Sequence, residues 1–98
     1  MSDNRAKFER MRDIWKVESI FLSSVQDMVE LPSYQAIIAM GEAVVPFLIE
    51  ELATDPNYWF VALAEITEQD PVPRDDWGHL DRMAAAWVAW GKMKEVVV

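Results

Sequence analysis

Ninety-eight residues, 52% of them apolar, make one domain (residues 1–98) with enough hydrophobic material for a core of its own. The chain has no cysteine, which excludes structural disulfides, thiolate catalysis and cysteine-bound zinc. A formal net charge of −8 argues against direct nucleic-acid binding, because holding a phosphate backbone relies on Lys and Arg displacing counterions.

The predicted elements are helices throughout. Residues 3–16 carry Phe8, Met11 and Trp15 at helical spacing, with Arg5, Lys7, Arg10 and Arg12 over much of the remaining surface and Asp3 as cap. The pattern leaves open whether this helix continues into Ile20–Leu22. It also leaves open whether the helix belongs to the core or is a detachable amphipathic arm for a partner or a second copy. Ser24, followed by Asp27 three residues on, starts a short second helix that Pro32 closes by Leu31. A third spans Ser33 to Met40 and stops at Gly41. The fourth runs from about Glu42 to Ala53, with Pro46 in its first turn and Val44, Val45, Leu48, Ile49 and Leu52 as its apolar stripe.

Thr54-Asp55-Pro56 is a break and restart. Asp55 is the expected cap and Pro56 the first position of a helix that carries Trp59, Phe60, Leu63, Ala64 and Ile66 and ends near Thr67. Asp70-Pro71-Val72-Pro73 marks Glu68 to Asp76 as a loop. The last helix begins near Trp77 or Gly78 and reaches about Lys92, with Leu80, Met83, Ala84, Trp87, Val88 and Gly91 on one side. Val96–Val98 has β character but is too short and terminal to count as a strand. Trp59, Trp87 and Trp90 are expected to build the core between the last two helices. The fold expected is an all-α compact bundle of about five helices.

The stretch from Tyr34 to Leu52, with Met40-Gly41 followed by Val45-Pro46, resembles a HEAT-like helical repeat. Trp59-Phe60-Val61-Ala62-Leu63, Asp70-Pro71-Val72-Pro73 and Trp87-Val88-Ala89-Trp90-Gly91 extend the likeness over about residues 19–92. Over that span the chain is similar to small uncharacterised bacterial proteins in which a HEAT-like unit is followed by a second hairpin. The resemblance implies antiparallel helical hairpins and a binding surface, and it brings no catalytic residues. One or two such units are too few for a long solenoid.

Charge is distributed unevenly. Residues 1–16 hold five basic and three acidic side chains, whereas residues 17–76 hold twelve acids against Arg74 alone. An acidic surface attracts a basic protein and speeds the encounter; acidity also serves solubility alone. Glu50, Glu51 and Asp55 stand at the C-terminus of the fourth helix, where the dipole disfavours them, and Glu65 and Glu68 extend the acidity on the next helix end. Asp75 and Asp76 flank the last loop beside Trp77. Tyr58 and Trp77 are the aromatic side chains expected at the surface, with Phe21 and Leu22 on an exposed edge. These considerations give Glu50, Glu51, Asp55, Tyr58, Glu65, Glu68, Asp75, Asp76 and Trp77 as candidate partner-binding residues.

Catalytic and metal-binding patterns are missing. His79, the only histidine, has no neighbouring set. Asp70, Asp75 and Asp76 lack the ordered ligands and bidentate Glu of an EF-hand and read as turn and cap residues. No cofactor or metal is expected. No apolar run approaches the roughly 20 residues that cross a bilayer, and Met1 to Arg12 lacks an apolar signal core. The expectation is a cytoplasmic, non-catalytic protein-binding module. It is either an acidic inhibitor or antitoxin-like protein that engages a basic partner, or a structural module that self-associates as a homodimer.

Overall fold

The 3.6-residue periodicity is realised along almost the whole chain. The computed structural model describes residues 3–94. In order the elements are α1 (Asp3–Ser19), α2 (Val25–Val29), α3 (Pro32–Ala39), a 3-10 turn (Gly41–Val44), α4 (Val45–Thr54), α5 (Phe60–Thr67), a second 3-10 turn (Arg74–Asp76) and α6 (Leu80–Met93). Among the described residues there is no strand, and the fold is an all-α bundle. Val96–Val98 lie outside the described residues.

α1 runs three residues beyond the expected stop at residue 16. Contacts with later elements hold its last turn: the Trp15 indole Nε1 donates to Met28 O at 2.8 Å, and Ser33 Oγ donates to Glu18 Oε1 at 3.2 Å. Phe8 and Trp15 are fully buried, so the helix is part of the core and not a detachable arm. Ser24 caps α2 as expected, its side chain accepting from Asp27 N–H at 3.5 Å. Pro32 occupies the first turn of α3, where its missing N–H leaves no gap.

Gly41 adopts φ +71°, a conformation that strains residues with a Cβ, and turns the chain out of α3. Three residues expected in the fourth helix, Glu42 to Val44, form the 3-10 turn instead, so α4 starts at Val45 with Pro46 in its first turn. The stripe Val44, Val45, Leu48, Ile49 and Leu52 is buried throughout. α4 packs most extensively on α6, and α1 on α3, with α5 against α3.

The restart at Pro56 is a correction. Asp55 does not cap a helix, because Lys16 Nζ takes its carboxylate at 2.8 Å. Asn57 Oδ1 then accepts from Tyr58 N–H, and α5 begins only at Phe60. The last helix also starts late. Gly78 at φ +88° turns the chain, and α6 begins at Leu80. The preceding loop is pinned from both sides. Trp90 Nε1 donates to Gln69 Oε1 at 3.0 Å, and Trp77 Nε1 donates to Val72 O at 3.3 Å.

The tryptophan core also differs from expectation. Trp59 stacks on Tyr34 (centroids 5.4 Å apart, planes 9° apart) and lies 4.5 Å from Trp15 and 6.2 Å from Phe8. It therefore ties α1 and α3 to the start of α5, while Trp87 and Trp90 form a separate edge-to-face pair on α6 at 5.3 Å. Aromatic pairs of this kind add about 0.5–1.5 kcal/mol each beyond the area they bury.

Candidate protein-docking groove

The acids expected to form one surface divide into two groups. Glu50, Glu51 and Asp55, at the C-terminal end of α4, are met by cations of α1. Arg5 reaches Glu50 at 3.1 Å, Arg12 reaches Glu51 at 2.8 Å, and Lys16 reaches Asp55 at 2.8 Å. The unfavourable placement of three carboxylates at a helix C-terminus is answered by a helix that is distant in sequence. Burial draws the Arg12 guanidinium down, but hydrogen bonds to Asp13 and Glu51 outweigh it and leave its pKa raised. The hydrogen bond from Lys16 and its positive charge pull the exposed Asp55 carboxyl below its ordinary range. These three acids face α1 and are not brought to the other candidates.

Of the second group of candidates, Tyr58 and Trp77 line a groove. Two adjoining cavities, about 260 and 180 Å³, share Phe60, Val61 and Met83 as walls. Tyr58 and Val25 line the larger; Trp77, Asp70 and Trp87 line the smaller. Tyr58 is half-buried, with its carbonyl accepting from the Tyr34 hydroxyl at 2.8 Å. Trp77 is 53% exposed, and the other four tryptophans are buried. The Arg74 guanidinium lies 5.6 Å from the Trp77 ring centroid. Glu65 and Glu68 are exposed at the end of α5, and Asp75 is exposed beside Trp77. Asp76 is half-buried and 3.9 Å from Arg82. The groove is therefore mostly apolar, with Asp70 the one acid among its walls and the exposed Glu65, Glu68 and Asp75 close to it in the chain.

Its shape follows from the local sequence. Ala62 and Leu63 point inward from α5, which leaves Val61 and Glu65 outward, four residues apart on one face. Glu68 takes φ +58°, which ends α5 and directs the loop back across it. Asp70 Oδ1 accepts from Val72 N–H at 3.1 Å, the turn role expected for it, and buries Val72 under Trp77. Sequence reasoning identified Tyr58 and Trp77 but not Val25, Val61, Leu80 or Met83. The one available signal was Val61, an apolar residue that falls off the buried stripe of its helix.

His79 is exposed at the N-cap of α6 and makes no capping bond through its side chain. Among the described residues, no three His, Asp or Glu side chains gather as a metal site, and no helix is long and apolar enough to cross a membrane. A wider depression of about 530 Å³ along α6 is floored by Ala85, Ala86 and Ala89 and presents no exposed aromatic side chain. Comparison of the chain with protein-family models, curated proteins and solved structures gives no match.

Proposed function

We propose that this chain is a cytoplasmic, non-catalytic protein-binding module whose contact surface is the Trp77 groove, and that it takes an apolar segment carrying basic residues. One observation carries the reading: a half-exposed tryptophan at two adjoining apolar cavities, with Asp70 in the wall and the exposed Asp75, Glu65 and Glu68 close by in the chain. Partly exposed aromatics next to concave apolar surface are the usual anchors of protein interfaces, while an edge of one charge sets orientation and on-rate. The inhibitor or antitoxin-like role is the narrower form of this proposal. The acids that support it are those of the groove, since Glu50, Glu51 and Asp55 are already compensated by α1. The HEAT-like reading belongs to the same proposal. It is supported by the left-handed Gly41 and the Val45-Pro46 start of α4 at the α3–α4 junction.

The test is affinity capture with the intact chain as bait at low and high salt. A partner held by the parent at low salt, retained by Met93→Ala and lost by Trp77→Ala, is the expected result. A partner captured equally by the parent and Trp77→Ala would overturn the groove as the contact surface.

A further inference from the structure

Among the described residues, eight large apolar side chains are exposed: Ile14, Val17, Ile20 and Phe21 on α1 and the turn after it, Val25, Val61 and Trp77 at the groove, and Met93 apart from both. On α1, Ile14 and Val17 point away from the buried Phe8 and Trp15, and Phe21 continues their line in the turn after the helix, 88% exposed. Ile20 stands beside it. Val25 and Val61 are walls of the larger cavity, and Val61 and Trp77 of the smaller. Isolated exposed apolar residues need no explanation, but a row on one helix face and a second set around a groove mark interaction surfaces.

The two surfaces carry opposite charge. Lys7 and Arg10 extend the α1 line backwards, so that Lys7, Arg10, Ile14 and Val17 repeat at intervals of three, four and three residues, the spacing of a helix–helix seam. Neither Lys7 nor Arg10 has an ion-pair partner among the described residues, in contrast to Arg5, Arg12 and Lys16 on the same helix. The groove has Asp70 in its wall, and Glu65 (one turn from Val61), Glu68 and Asp75 (two residues from Trp77) are exposed acids close to it in the chain. A ridge that is basic and apolar and a groove that is apolar and acidic, carried by one chain, are complementary to each other. An anionic membrane would attract the basic end and repel the rest of a chain of net charge −8. A two-fold arrangement in which the ridge of each copy meets the groove of the other makes both contacts at once and closes the assembly.

We infer that the occupant of the groove surface is a second copy of this chain. The two copies form a two-fold dimer in which the Lys7–Arg10 end of each α1 lies against the acidic edge of the other's groove. The inference rests on the reading of the groove as a protein-docking surface and names its partner.

Sedimentation velocity of the full chain tests it between about 0.05 and 0.5 M salt, a range over which screening of exposed charges becomes nearly complete. The expected result is a dimer at low salt that dissociates as salt rises. Val17→Glu and Phe21→Glu, both on exposed positions, should be monomeric with the helical circular dichroism of the parent. Arg10→Glu should weaken the dimer about tenfold, and adding Asp75→Arg in the same chain should recover most of that loss. A chain that is monomeric under all these conditions, or a dimer indifferent to Val17→Glu and Phe21→Glu, would overturn the inference. If the chain is monomeric but captures another protein through Trp77, the groove stands and only the second copy is wrong. If Trp77-dependent capture is also absent, both readings fall.

Discussion

Tyr34 is the residue on which the core turns. Its hydroxyl donates to Tyr58 O at 2.8 Å and accepts from Ala62 N–H at 3.0 Å, bridging the start of α5 to α3. Burial pushes its phenol pKa well up, so it stays neutral and remains a donor at any ordinary pH. The bridge does the work that Asp55 was expected to do, since the Ala62 N–H is one of the first donors of α5 and lacks a partner within the helix. Tyr34→Phe leaves the stacking on Trp59 intact and deprives both buried groups of their partner. The loss should be about 2 kcal/mol, seen as a lower urea midpoint with unchanged slope. Trp59 Nε1 stands in contrast, buried with no hydrogen-bond partner among the described residues. Its ring lies between Tyr34 and Trp15, and the aromatic packing offsets the cost of leaving that donor unmade.

At the scale of elements, α1 is fastened to the rest of the chain on two sides. Phe8 and Trp15 enter the aromatic core, while Arg5, Arg12 and Lys16 grip the end of α4. The grip is pH-dependent through Asp55. Because Lys16 holds its folded-state pKa below the ordinary value of about 3.9, the stabilising contribution is fully present above that value and is lost as the pH falls through the lower folded one. Asp55→Asn should therefore be less stable than the parent at neutral pH, and the difference should close in strong acid, as measured by urea unfolding across the pH range. What the sequence made legible was local: the Phe8–Trp15 spacing, the Ser24 cap, the Gly41 stop and the Val44–Leu52 stripe are all encoded within one or two turns. Asp55 misled because its short-range signal, a capping residue before proline, was outcompeted by a cation 39 residues away. The same non-local pairing removed Glu50 and Glu51 from the candidate surface, and no periodicity within α4 reports the position of α1. Tyr58 and Trp77 were legible as loop-flanking aromatics. The walls Val25, Leu80 and Met83 come from three segments that only packing brings together.

Over the whole molecule, the acidic excess has a spatial order that the net charge conceals. Arg5, Arg12 and Lys16 offset the acids of α4, whereas Asp70 in the groove wall and the exposed Asp75, Glu65 and Glu68 have no ion-pair partner among the described residues. Trp77 is placed to report that field, since the other four tryptophans are buried and a water-borne quencher reaches them poorly. Two opposed influences act on its ring. Arg74 lies 5.6 Å from the centroid and attracts anions, whereas Asp70, Asp75 and Asp76 repel them and outnumber it even after Arg82 is set against Asp76. A cation such as caesium should therefore quench the accessible fluorescence more efficiently, and iodide less efficiently, than each quenches free tryptophan. The asymmetry should shrink as salt screens the field over a Debye length of about 10 Å at 0.1 M. Trp77→Phe should remove the accessible component altogether, and Arg74→Gln should widen the asymmetry. Equal relative quenching by the two ions at low salt would show that Arg74 cancels the acids at Trp77, and preferential quenching by iodide that Arg74 governs the approach; in either case the acids would have no part in selecting what docks there.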